Sequence, residues 1–125
     1  MSAETPMFVF VGSPTRRADL KALVDDRGWF MHDAPEDALM GTLAQVITFF
    51  PDAVVIEDTG EGTGHEVVMH LESIHYTPLF LLTDKPELWE TAGGAFAAVL
   101  PLRTKGYEVL DALRALLLDA EPAWA

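Results

Sequence analysis

The chain has no cysteine, which rules out disulfides, thiol nucleophiles and thiolate metal ligands. It is also poor in basic residues. Eight Lys+Arg stand against twenty Asp+Glu, a formal net charge of −12 at pH 7. Such a surface repels phosphate backbones and anionic lipid, so neither nucleic acid nor a membrane surface is expected as a partner. Plain solubility is the simplest use of the same acidity. No apolar run approaches the roughly 20 residues that span a bilayer. The opening Met1-Ser2-Ala3-Glu4-Thr5 lacks the basic-then-apolar pattern of a secretory leader, and a cytoplasmic location is expected. Internal repeats and low-complexity tracts are absent as well.

Half of the 125 residues are hydrophobic, enough for one domain with its own core. Loose ends are expected at about residues 1–5 and 120–125. Short apolar runs alternate with amphipathic stretches. Met7 to Val11, Trp29 to His32, Ala53 to Glu57, Pro78 to Leu82 and Ala97 to Leu100 read as strands. Ser13-Pro14 is a cap followed by proline in a first helical turn, and Gly28 closes that helix. Leu20, Leu23, Val24 and Arg27 share its inner face. A second helix opens at Pro35, a third at Thr63 with the capping partner Glu66, and a fourth at Asp84. The last runs from about Lys105 to Asp119, with Tyr107, Leu110, Leu113, Leu116 and Leu117 expected inward. Strands alternating with helices predict a doubly wound α/β domain. Its five-stranded parallel sheet has the expected order 2-1-3-4-5, flavodoxin-like, in a three-layer sandwich.

In such sheets function gathers beyond the carboxyl ends of the strands. The third strand, Ala53-Val54-Val55-Ile56, ends there on Glu57 and Asp58 and enters the loop Gly60-Glu61-Gly62-Thr63-Gly64. That loop lacks the Lys-Ser/Thr of a P-loop, does not follow the first strand as a dinucleotide fingerprint would, and carries Glu61, which repels phosphate. His65 and His70 are five residues apart, roughly 140° around a helix, so they cannot share a zinc ion as histidines four apart do. No metal site and no cofactor are expected. Ser13-Pro14-Thr15 falls short of a flavin-phosphate loop, and Arg16 and Arg17 read as surface residues of a helix start.

Laid out this way, nearly the whole chain resembles the response-regulator receiver domain. The resemblance rests on Pro51-Asp52-Ala53-Val54-Val55-Ile56, Gly64-His65-Glu66-Val67, Pro78-Leu79-Phe80-Leu81-Leu82-Thr83 and Gly94-Ala95-Phe96-Ala97-Ala98-Val99-Leu100. It places the phosphoacceptor position at Glu57, with Asp58 as the rival, and the switch threonine at Thr83. The departures concern the chemistry. Gly12 and Ser13 stand where the family has metal-binding acids. Leu100 or Pro101 stands at the lysine position, and Ala98 or Ala97 at the switch aromatic. Phosphoryl transfer needs positioned charge neutralisation, and a hard cation needs several oxygen ligands. The resemblance therefore implies a degenerate pseudo-receiver, not an enzyme, with no cation expected beside Glu57. A divalent ion or a cationic side chain at that spot would undo this reasoning.

The implied function is a stand-alone, phosphorylation-independent protein-interaction module in signal transduction. A signalling protein would dock on the fourth helix, fifth strand and fifth helix, where Trp89 and Tyr107 are candidate contacts, and a homodimer could form there. Glu57 would mimic the phosphorylated state and draw Thr83 inward, although Thr83 also suits a helix start beside Asp84. Two alternatives stay open: an unorthodox phosphorelay receiver phosphorylated at Glu57 or Asp58, and a small-ligand-binding α/β protein using the strand-end crevice.

Overall fold

The apolar runs pair as parallel strands in the computed structural model, which describes residues 6–33, 51–59, 78–87 and 96–119. The strands are β1 (Met7–Val11), β2 (Phe30–Asp33), β3 (Ala53–Asp58), β4 (Leu79–Thr83) and β5 (Ala98–Pro101), in the sheet order β2-β1-β3-β4-β5. Both the α/β class and the 2-1-3-4-5 order match the expectation from sequence. The bounds shift by a residue or so, as strand ends commonly do. β3 runs on through Asp58, which pairs with Thr83, and β5 runs to Pro101 on the sheet edge, where a residue without an N–H is tolerated.

Helix α1 (Pro14–Arg27) follows β1 and is bounded by local chemistry that the sequence displays. Ser13 is its N-cap, the side-chain oxygen accepting from the Arg16 N–H at 3.3 Å, and Pro14 occupies the first turn. At the far end Gly28 adopts φ 73° and ψ 23°. Its N–H donates to the Asp25 carbonyl and the Trp29 N–H to the Val24 carbonyl, closing the helix in the left-handed way that favours glycine. Helix α2 (Gly106–Arg114) follows β5 and continues as a π-helical turn over Ala115–Asp119.

Strand alternation sends one set of side chains toward α1 and α2. Phe8, Phe10, Ala53, Val55, Phe80 and Leu82 meet Leu20, Val24, Val109, Leu110 and Leu113 in one buried cluster. Val9, Val11, Val54, Ile56 and Leu81 on the opposite face are buried too, as a sheet covered on both sides requires. The two helices approach closely at Gly106, where a Cβ would stand 2.9 Å from Leu23 Cδ1 and against Asp19. Arg27 ties them together, donating to Asp111 at 2.9 Å while lying 5.5 Å over the Trp29 ring.

Two inward expectations on α2 are corrected. Tyr107 is 49% exposed and Leu116 is 40% exposed. Tyr107 lies in the first turn, ahead of Val109, Leu110 and Leu113, which meet the sheet. For Leu116, ordinary helix geometry suffices: it lies roughly 120° around the axis from Leu110, whereas Leu117 lies roughly 20° away and packs on the core. The second and third expected helices, the fourth beyond Glu87, the glycine loop, the three histidines at 65, 70 and 75, and both chain ends lie outside the described residues.

Gly28 isolates backbone strain from packing, because nothing lies within 4 Å of a Cβ built there. Gly28→Ala is expected to lower stability by about 1 kcal/mol through the left-handed conformation alone. Gly28→Asn should cost less. Urea unfolding of the three proteins measures both, and an unchanged Ala variant would refute the strained cap.

Candidate functional site

The carboxyl ends of β1, β3 and β5 converge on one side chain, that of Glu57. Alternation along β3 puts Glu57 on the same face as Ala53 and Val55, and the pairing Val11↔Ile56 makes Gly12 its next neighbour on β1. A Cβ on Gly12 would come within 2.7 Å of Glu57 Cβ and 2.8 Å of Glu57 Oε1, and would collide with the Phe10 ring. The missing side chain at position 12 is thus the space into which Glu57 folds.

Its carboxylate is fully engaged there. Oε1 accepts from the Ser13 N–H at 2.7 Å, and Oε2 lies 3.5 Å from Arg16 Nε. A short N–H bond to a carboxylate is among the stronger hydrogen bonds, and the N-terminus of α1 adds the favourable end of its dipole. Arg16 is equally committed. One terminal nitrogen donates to the Thr104 carbonyl and the other to the Leu102 carbonyl, at 2.6 Å for the latter. All three guanidinium nitrogens therefore have partners. The two side chains are only 12% and 10% exposed.

This corrects two expectations. Neither arginine is a plain surface residue of a helix start: Arg17 is half-buried and donates to the Gly12 carbonyl at 3.3 Å, and Arg16 is a cation beside Glu57, where none is expected from sequence. Helix side chains lean toward the helix N-terminus, so an arginine in the first turn of α1 reaches back over the sheet's carboxyl edge. That lean, together with the Ser13-Pro14 cap that fixes where the turn begins, was the signal available in the sequence. The positive charge does not stand ready for an incoming phosphoryl group, because Glu57 and two carbonyls already hold it. The expectation of no cation beside Glu57 therefore fails: the cation is present, and Glu57 and two carbonyls already hold it.

The remaining predicted positions do not join this cluster. Asp58 is 3% exposed and pairs across the sheet with Thr83, which sets both on the face opposite Glu57. Thr83 Oγ1 accepts from the Lys85 N–H at 3.2 Å, the arrangement of a residue opening the next helical turn. Glu57, paired instead with Leu82, does not draw Thr83 inward. Leu100 and Pro101 at the end of β5 are half-buried and supply no ammonium, and Ala98 supplies no aromatic ring. Trp89 lies outside the described residues. Among the described residues no group of three metal-ligating side chains occurs, and no helix is long and apolar enough to cross a membrane.

Removing one partner of a buried ion pair strands the other. Arg16→Met is expected to lower stability by about 3 kcal/mol, and Glu57→Gln in that background to recover part of the loss. A double-mutant cycle in urea checks this; simple additivity of the two single effects would mean that the pair is not coupled.

No family model matches the sequence, and no curated protein matches it at a significant level. Solved structures do. The chain is similar to the chemotaxis response regulator CheY4 of Vibrio cholerae, with 18% identity and a TM-score of 0.70, over 90% of this chain and 98% of that one. It is similar to a response regulator receiver protein from Burkholderia phymatum, with 22% identity and a TM-score of 0.69, over 94% and 99%. A putative response regulator from Chloroflexus aurantiacus gives 17% identity and a TM-score of 0.70, over 91% and 98%. At such identities the likeness speaks to architecture, and the fold of this chain is that of the response-regulator receiver domain.

Proposed function

We propose that the chain is a pseudo-receiver, a receiver-fold module of signal transduction that acts through protein contact without being phosphorylated. The observation that carries this reading is the filled acceptor site. A phosphoryl group beside Glu57 would need space and uncommitted positive charge. Glu57 folds over Gly12 and takes the space, while Arg16, bonded to Glu57, Leu102 and Thr104, has no uncommitted nitrogen. Gly12 and Ser13 offer no carboxylate for a divalent cation. The receiver fold supports a signalling role, since the similar structures are named as response regulators. A partner surface including the exposed Tyr107 and the β5 edge, with a homodimer through the same face, belongs to this proposal. Asp58 is a poor substitute acceptor, because it is 3% exposed and lies on the face away from Arg16.

Incubation with acetyl phosphate and magnesium, followed by intact-mass measurement, tests the proposal. The expected result is an unmodified mass, with Arg16→Met still unmodified because the metal ligands are missing in either protein. A magnesium-dependent single-phosphate adduct on the unaltered chain would overturn it.

A further inference from the structure

We infer that Arg16 is a latch, holding the junction between β5 and α2 against α1 only while an anion at position 57 holds its guanidinium. A charge this far from water sets the terms. Arg16 is 12% exposed, and a guanidinium at such a depth stays there only with a counter-charge and with its N–H groups bonded. Glu57 supplies the counter-charge, 3.5 Å from Nε. The two remaining nitrogens donate to the carbonyls of Leu102 and Thr104. Neither carbonyl carries a charge, so neither replaces the carboxylate. Once the anion is gone, the arginine gains by turning toward water, and both loop bonds leave with it.

The junction is built to be held from α1. Its backbone donates from Leu102 to the Thr83 carbonyl at 2.8 Å and from Thr104 to the Pro101 carbonyl at 3.0 Å. To these bonds the first turns of α1 add two contacts of opposite sign. Arg16 meets the carbonyls ahead of α2, and Asp19, three residues on, sets its carboxylate against Gly106, the first residue of α2. A cation on carbonyls and an anion at a helix start each match the polarity they meet.

Arg16 and Asp19 also line two open depressions of about 380 Å³ each, one bordered by Glu57 and the other by Tyr107. The position of the guanidinium therefore shapes the surface next to Tyr107, which is 49% exposed. With Glu57 in place that surface is held in one arrangement, and neutralising position 57 frees it. Its use in partner binding rests on the reading of the chain as an interaction module, whereas the latch is a matter of geometry.

Amide hydrogen exchange on the full chain, resolved by NMR, tests the latch in two variants. Glu57→Gln removes the charge and keeps the length, and Arg16→Met removes the guanidinium. The Leu102 and Thr104 amides report on the junction, and the Gly28 and Trp29 amides, at the other end of α1, are the controls. Both variants should exchange about ten-fold faster at the junction, the scale of one lost hydrogen bond to a charged group. The controls should keep the rates of the unaltered chain. Circular dichroism establishes that each variant is folded.

Unchanged exchange at Leu102 and Thr104 overturns the inference. So does equal acceleration at the controls, which would mean a general loss of stability. Acceleration in one variant alone would separate Glu57 from the junction and overturns it as well. Exchange is measured without a phosphodonor, so its failure is distinguishable from a phosphate adduct, which would defeat the pseudo-receiver reading instead.

Discussion

A carboxylate taken largely out of water must find compensating charge and hydrogen bonds, and Glu57 imposes that requirement on two connections, β1 to α1 and β5 to α2. Ser13 contributes its backbone N–H and Arg16 its guanidinium, while Gly12 contributes room. Arg16, drawn over the sheet edge, then has two further nitrogens to satisfy and takes the Leu102 and Thr104 carbonyls. One acidic side chain at the end of the central strand thus fixes the start of α1 and the approach to α2. Buried ion pairs contribute little net stability against apolar replacements, and their better-attested effect is to specify one arrangement. The role of this pair is conformational.

A phosphorylation switch gains its anion by reaction and loses it by hydrolysis. Here the anion is part of the chain and arrives with folding. No transfer step, metal or water is required for Arg16 to find a partner. Asp58 and Thr83 pair on the opposite face of the sheet, and Thr83 Oγ1 accepts from the Lys85 N–H. The Glu57 carboxylate meets the start of α1 directly and, through Arg16, the loop before α2.

Much of the architecture was readable from the chain because its signals are local. The Ser13-Pro14 cap, the Gly28 stop and the continuous apolar run of β3 each follow from short-range chemistry, and the strand order follows from handed crossovers. The site was only half legible. Its empty positions could be read, because absences at Gly12, Ser13 and Leu100 are visible one residue at a time. Its contents could not, because Arg16 meets Glu57 across 41 positions and Thr104 across 88. That encounter depends on the lean of helix side chains and on sheet register, which act in three dimensions. The exposure of Leu116 was legible, by contrast, since it lies roughly 120° around an ordinary helix from Leu110, while Leu117 lies roughly 20° away.

The bare backbone at Gly12 also has an evolutionary meaning. An aspartate placed there, the first move toward a metal-binding pocket, would run into the Glu57 side chain and set one carboxylate against another. Shortening position 57 first would draw its carboxylate back by one methylene from Arg16 and from the Ser13 N–H. The two positions are therefore coupled: a side chain at position 12 and the full length of Glu57 compete for the same space.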